Sequence, residues 1–122
     1  MDWSRVESFN SEEFSSPDKP GSGMLMDTEM IRRLVIMRKH SSFPYIINSG
    51  YRTKEWNERI GGVANSAHLT GQAVDIRCVT SSDRFQILRF ALLLGFRRIG
   101  VAKSFIHLDL ALDRSQKVIW NY

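Results

Sequence analysis

Two short segments of the chain alternate apolar and polar residues with a period of two, as a strand with one buried face does. In residues 106–110 the aliphatic side chains share one face, and His107 and Asp109 share the other. Side chains two apart on a strand lie about 7 Å from each other on the same side, so these two polar groups project together. In residues 73–77 the same alternation presents Asp75 opposite two aliphatic side chains. The pattern predicts two strands of a half-buried sheet.

Histidine is scarce, with three residues in 122, and two of the three lie close to carboxylates in the chain. If the two alternating strands share a sheet, Asp75 and His107 meet over one surface, and the preceding loop can bring His68 to them. Gly71 lets that loop turn without a steric penalty. Two imidazoles and one carboxylate are a ligand set that catalytic zinc uses when the fourth position is left to water. A hydrogen-bonded structural role for each histidine remains the alternative on the residues alone.

Length and composition fit one domain with one hydrophobic core. The chain has 122 residues, of which 43% are hydrophobic, so we predict a single domain over residues 1–122 with residues 1–26 as an irregular leader packed on it. The net charge of +4 favours polyanions in general. A clustered stripe of basic and aromatic residues is missing, however, so no nucleic-acid partner is predicted. The one cysteine, Cys78, excludes an internal disulfide and is expected to be buried.

Helical spacing and capping residues predict three helices, at residues 28–40, 53–59 and 81–94. Strand patterns are found at residues 45–48, 72–78, 98–101 and 105–110, with an edge strand around 118–120. Residues 81–83 are expected to cap the third helix. The residues predicted on its inner face are Phe85, Leu88, Ala91 and Leu92. Mixed elements with short gaps between the last strands predict an α+β fold, with a small, mostly antiparallel sheet flanked by helices.

No segment has the pattern of a secretion signal or a membrane span. The N-terminus lacks a basic start followed by an apolar run, and the longest apolar run, residues 90–94, is far too short to cross a bilayer. The sequence therefore predicts a protein without a transmembrane segment that is cytoplasmic as synthesised. Such a protein would meet an extracellular substrate only after release or delivery. Nothing in the sequence indicates an oligomeric state.

Three ordered motifs resemble the zinc D-alanyl-D-alanine carboxypeptidase family. The first is Asn-Ser-Gly-Tyr-Arg at residues 48–52, followed by Asn57 and the glycine pair at 61–62. The second is Ser-x-His-x-x-Gly-x-Ala-x-Asp at residues 66–75, and the third is the apolar-His-apolar-Asp strand at 106–109. The family includes the vancomycin-resistance dipeptidases and several phage endolysins, and its fold is related to that of the hedgehog signalling domains. The likeness covers roughly residues 9–114.

Carried over by motif, this resemblance implies His68, Asp75 and His107 as the ligands of one zinc ion. It also implies that Arg52 steadies the scissile carbonyl or the attacking water. The function implied is a zinc-dependent metallopeptidase that hydrolyses peptide bonds in peptidoglycan stem peptides, as a carboxypeptidase or an endopeptidase, of phage or bacterial origin. For Arg52 the alternative is a structural ion pair that holds the turn at residues 49–52.

The general base is the point at which the chain departs from this family. Many members have a glutamate or aspartate three residues before the last histidine ligand, and Ser104 stands at that position. A hydroxyl cannot take a proton from zinc-bound water at neutral pH. Asp109 could act as the base, directly or through a water, or could orient an imidazole. The missing acid also admits a catalytically inactive, zinc-stabilised module that binds peptidoglycan or a protein.

The remaining polar and aromatic residues are expected in ordinary roles. His40 is predicted to be a solvated residue at the end of the first helix, and Arg98 a surface charge. The three tryptophans are predicted to pack against the core. Trp56, close after the turn that carries Arg52, is the one considered for the border of the cleft.

Overall fold

The computed structural model describes residues Met1–Tyr122. Its helices are α1 (Thr28–His40), α2 (Lys54–Arg59) and α3 (Ser81–Leu93). Each begins after a residue whose side chain accepts a hydrogen bond from a backbone N–H of the first turn: Asp27, Thr53 and Thr80. The cap of α3 was predicted at residues 81–83. Thr80 supplies it one position earlier, because its hydroxyl accepts a hydrogen bond from the N–H of Asp83 at 3.1 Å.

Five strands form one mixed sheet: β1 (Ile47–Ser49), β2 (Ala73–Arg77), β3 (Arg98–Val101), β4 (Phe105–Asp109) and β5 (Val118–Asn121). Their order across the sheet is β1-β2-β4-β3-β5. All neighbouring strands are antiparallel except β3 and β5, which are parallel. The parallel pair arises because residues 110–117 carry the chain from β4 back to the other side of β3. The predicted α+β fold with a mostly antiparallel sheet is confirmed.

The core lies between the sheet and the helices α1 and α3. The aliphatic side chains of β2 and β4 that were predicted to share one face are fully buried: Val74, Ile76, Ile106 and Leu108. They belong to the same packed cluster as Leu34 of α1 and Ile87 of α3. Burial of this face leaves the opposite face of β2 and β4 for polar side chains.

The inner face of α3 differs from the prediction at two positions. Ile87 and Ala91 are fully buried, whereas Phe85 is 67% exposed and Leu92 is 54% exposed. Leu88 packs against the core, as predicted. Apolar residues occur all around this helix, so their spacing is compatible with more than one buried stripe. The stripe that packs is the one through residues four apart at Ile87 and Ala91.

Two aromatic side chains of the leader pack on the rest of the chain. Phe9 and Phe14 are 7% and 0% exposed, and their ring centroids lie 5.5 Å apart. The carbonyl of Phe14 accepts a hydrogen bond from the N–H of Tyr51 at 2.8 Å. A Cβ on Gly50 would lie 2.8 Å from Cα of Phe14, so a glycine is required for this close approach.

The one cysteine is buried, as predicted. Cys78, directly after β2, is buried with 2% of its surface exposed. Among the helices, none has the length and apolar character that crossing a membrane requires.

Candidate metal centre

The antiparallel pairing of β2 and β4 places Asp75 directly opposite His107. Nδ1 of His107 lies 2.8 Å from Oδ1 of Asp75. The two residues are 8% and 9% exposed, so the contact is shielded from solvent. The prediction that both alternating segments share one sheet and point their polar groups to one surface is confirmed.

His68 lies on a single 3-10 turn, Ala67–Thr70, that immediately precedes β2. The hydroxyl of Ser66 begins this turn by accepting a hydrogen bond from the N–H of His68 at 3.2 Å. Gly71 ends it in the left-handed region, with φ of 71°. A Cβ on Gly71 would also lie 2.4 Å from the carbonyl oxygen of Leu25. Conformation and space therefore both require glycine here, and the tight turn aims His68 at the sheet.

The protonation of His68 is set by its hydrogen bond to the main chain. Nδ1 of His68 lies 2.7 Å from the carbonyl oxygen of Gly50. A carbonyl can only accept, so Nδ1 carries the proton and Nε2 keeps its lone pair in the neutral ring. That Nε2 lies 3.5 Å from Oδ2 of Asp75. Two acceptors that face each other at this distance leave room for a cation or a proton between them.

One ligand atom from each of His68, Asp75 and His107 lies within 4.8 Å of the other two. The imidazole centroids of the two histidines are 5.3 Å apart. Zinc bonds of about 2.0–2.2 Å place tetrahedral ligands roughly 3.3 Å from one another, close to the observed separation of His68 and Asp75. The chemistry of the donors and their spacing therefore suit one zinc ion.

The electrostatics of the cluster favour an ionised carboxylate between the two rings. Burial opposes ionisation of Asp75, but the hydrogen bond with His107 and the proximity of the His68 ring outweigh it and hold the pKa of the carboxyl well below its ordinary value. Burial likewise disfavours the charged form of His107. Its contacts with Asp109 and Asp75 outweigh that effect and raise the pKa of the imidazole. The cluster therefore keeps a negatively charged oxygen donor in a shielded place.

Asp109 lies on the opposite side of the His107 ring from Asp75. Its Oδ2 is 2.8 Å from Nε2 of His107. Its Oδ1 accepts hydrogen bonds from Nε of Arg98 at 2.8 Å and from the N–H of Ala111 at 3.1 Å. With both oxygens engaged and 3% of the residue exposed, the contacts of Asp109 favour orientation of the imidazole over proton abstraction from water.

Arg52 contacts both the turn that carries it and the candidate ligand set. Its Nε donates to the hydroxyl of Ser49 at 3.0 Å, and its Nη1 donates to Oδ1 of Asn57 at 3.1 Å. Its Nη2 lies 3.4 Å from Oδ2 of Asp75. The contacts expected of a structural ion pair are thus present, and the same guanidinium lines the cleft beside Asp75.

The cleft over the cluster has a volume of about 400 Å³. Besides the candidate ligands and Arg52, its lining includes Arg98, Phe105, Arg114, Trp120 and Tyr122. The expectation for Trp120 is corrected here, because its ring forms part of the cleft wall. Trp56 does not line the cleft and instead lies 5.8 Å from the guanidinium of Arg59. Arg98, expected on the surface, has a side chain only 14% exposed, since it pairs with Asp109.

Ser104 takes no part in this cleft. It is exposed in the turn between β3 and β4 and does not line the cavity. The carboxylates that do line it are Asp75 and Asp109. His40 lies at the exposed end of α1, with its ring 6.0 Å from that of Phe90, and is not part of the site.

A search of the curated proteins gives no match to this chain. The family model of peptidase M15, the zinc D-Ala-D-Ala carboxypeptidase-like family, matches residues 7–109. The match begins in the leader and ends with the last residue of β4, so it includes the three candidate metal ligands and most of the chain. The α+β fold agrees with that family. The chain therefore belongs to the peptidase M15 family.

Proposed function

We propose that the protein is a zinc-dependent metallopeptidase that hydrolyses peptide bonds in peptidoglycan stem peptides. Membership of the peptidase M15 family supports a metallopeptidase. The observation that carries the proposal is the convergence of two imidazoles on one buried carboxylate. Nε2 of His68 and Nδ1 of His107 face the two different oxygens of Asp75, at 3.5 Å and 2.8 Å.

In this proposal His68, Asp75 and His107 hold one zinc ion. A zinc ion bound in such a site lowers the pKa of a coordinated water to about 7 and polarises a carbonyl. Asp109 accepts the Nε2 proton of His107, which leaves the Nδ1 lone pair on the side of Asp75, where the ion would bind. The guanidinium of Arg52, beside Asp75, offers N–H donors to an oxygen that gains negative charge during hydrolysis.

The charge of the cleft supports an anionic peptide as substrate. Three arginines line it, at positions 52, 98 and 114. Two of these arginines pair with the two carboxylates of the lining, Asp75 and Asp109, so the lining has one arginine in excess. That arginine pairs only with an exposed aspartate outside the lining, and together with the net charge of +4 it suits the free carboxylates of wall stem peptides. Both carboxypeptidase and endopeptidase action fit this arrangement.

A second candidate is a catalytically inactive, zinc-stabilised module that binds peptidoglycan or a protein. The observation that favours it is the absence of a free carboxylate in the cleft. Ser104 lies outside the cavity, and both oxygens of Asp109 have partners. In this case the metal would contribute to folding free energy, and the cleft would hold its ligand without cleaving it.

Zinc content and peptidoglycan cleavage, measured on the same preparations, separate these functions. We expect one zinc per chain and release of new amino groups from purified peptidoglycan for the wild type. We expect both to be lost in His68→Ala. His40→Ala is the matched control, since it removes an exposed histidine far from the cleft. One zinc per chain without cleavage of any wall type would support the binding module, and no zinc in the wild type would refute both candidates.

A further inference from the structure

A row of residues crosses the sheet at the level of the candidate metal centre. Asp75 pairs with His107, His107 pairs with Gly100, and Gly100 pairs with Trp120. Paired residues on neighbouring strands project on the same side of a sheet. Trp120, on the edge strand β5, therefore shares the face that carries the metal centre, although β3 separates it from His107.

Gly100 provides the space through which the indole reaches across β3. A Cβ on Gly100 would lie 2.7 Å from Nε1 and 2.8 Å from Cε2 of Trp120. Gly100 is not among the glycines with positive φ, so its backbone conformation is open to any residue. The requirement for glycine at this position comes from the close approach of the indole and of the Tyr122 ring, whose Cε2 would lie 2.8 Å from the same Cβ.

The indole contacts both the His107 ring and Arg98, which is itself linked to His107 through Asp109. Its ring centroid lies 5.6 Å from that of His107, and the guanidinium carbon of Arg98 lies 5.0 Å from the centroid of the Trp120 ring. Arg98 donates to Asp109 at 2.8 Å, and Asp109 contacts Nε2 of His107 at 2.8 Å. The imidazole is thus in contact with a carboxylate at each nitrogen and with the indole at its side.

We infer that Trp120 is a positioning residue for the His107 imidazole and that Gly100 serves to admit its indole. The contacts with Asp75 and Asp109 hold the two ring nitrogens but leave the ring free to tilt about the line that joins them. Packing against the indole limits this tilt. Arg98 contacts both the indole and Asp109 and so links the two groups that hold the ring. A ligand that is already oriented loses less freedom when the metal binds, so zinc affinity depends on Trp120. The inference rests on the zinc site of the proposed function.

The test compares zinc affinity, measured by competition with a chromophoric chelator, among variants of the full chain. Trp120→Ala and Gly100→Ala should each weaken zinc binding about tenfold, since either change removes the indole from His107. Trp120→Phe should recover most of the affinity, because a smaller ring still packs there. Trp56→Ala is the matched control, a tryptophan outside the cleft, and should bind zinc as the wild type does.

The double variant tests whether Gly100 acts through Trp120. Gly100→Ala made in the Trp120→Ala background should cost much less affinity than it does alone, because the new methyl then meets only the Tyr122 ring and has no indole to displace. The visible spectrum of the cobalt-loaded protein should change in Trp120→Ala and stay the same in Trp56→Ala. Thermal unfolding of the metal-free variants records any loss of stability, and the affinities are compared at a temperature at which every variant is folded, so that the folded fraction does not affect them.

Three outcomes would overturn the inference in distinguishable ways. Equal zinc affinity and an equal cobalt spectrum in wild type and Trp120→Ala would remove the role of Trp120 and leave the proposed function intact. Additive losses in the double variant would remove the link between Gly100 and Trp120. A wild type that binds no zinc would remove the proposed function together with this inference.

Discussion

The two faces of β2 and β4 are both buried, but they make different demands on their residues. On the face towards the helices, Ile106 and Leu108 fill volume, and another aliphatic side chain of similar size would serve nearly as well. On the opposite face the side chains have specific partners: the two ring nitrogens of His107 contact one carboxylate oxygen each, on Asp75 and on Asp109. Neighbouring residues of each strand therefore have different tasks. Those on one face stabilise the fold, and those on the other hold chemical groups in position.

The largest expected effect is the loss of hydrolysis on metal removal, because the proposed ligands all lie at the polar face. A strong chelator should abolish the release of amino groups from peptidoglycan, because the proposed ligands lose the group that activates water. Addition of one equivalent of zinc should restore it. Circular dichroism of the chelated protein should keep the helix and strand signal, since the apolar face is unchanged. Cleavage that persists in the chelated protein would contradict the proposal.

On the apolar face, Leu108→Ala should lower the free energy of unfolding by about 2–5 kcal/mol, the usual cost of a large cavity in a core. Denaturant unfolding of the metal-free protein measures this loss. The zinc affinity of the folded fraction should not change. Leu112→Ala is the matched control, because Leu112 is 85% exposed. A large loss of zinc affinity in Leu108→Ala would show that the two faces are coupled.

On the polar face, Asp109→Asn distinguishes the two roles considered for this carboxylate. If Asp109 orients His107, the variant should bind zinc about 10–100-fold more weakly. If it acts as the general base, hydrolysis should fall while zinc affinity stays the same. Asp83→Asn, at the start of α3 and remote from the cleft, is the control. Chelator competition and amine release on the same samples provide both readouts.

The smallest effect is expected for a carboxylate outside both faces. Hydrogen bonds from Arg32 and Arg33 lower the pKa of Glu29 to about 2. The folded-state pKa lies below the ordinary value of 4.5, so the pair stabilises the fold above that pH and loses its contribution as the pH falls towards 2. Solvent screens the pair, and Glu29→Gln should cost only about 0.5 kcal/mol at pH 7. Unfolding measured at pH 7 and near pH 2 should show this difference disappear. A much larger cost would contradict the expectation that an exposed ion pair in this protein stabilises the fold less than a buried one.

The sequence predicted the strands of the site because their alternation is local and strong. Asp75 and His107 were expected on one surface, and their pairing in the sheet follows directly from that pattern. The part played by Trp120 could not be predicted in this way. It depends on β5 returning to the far side of β3 and pairing in parallel, which is a matter of topology and not of spacing.

Other differences have equally physical reasons. An arginine on a short strand usually faces solvent, and nothing local indicates that Arg98 pairs with a buried aspartate eleven residues later. The buried face of α3 was predicted incorrectly at Phe85 and Leu92 because apolar residues surround that helix. The burial of Arg98 and the choice of the buried face of α3 both depend on contacts between distant parts of the chain.

The contact between the leader and Gly50 has a practical consequence for work on this protein. Gly50 packs against Phe14 on one side and gives its carbonyl to His68 on the other. Shortening the polypeptide from its amino terminus would therefore disturb the support of a candidate metal ligand well before any of the three candidate ligands was deleted. A fragment lacking its first fifteen residues should for this reason bind zinc more weakly than the full chain, although it would still encode all three side chains proposed to hold the ion.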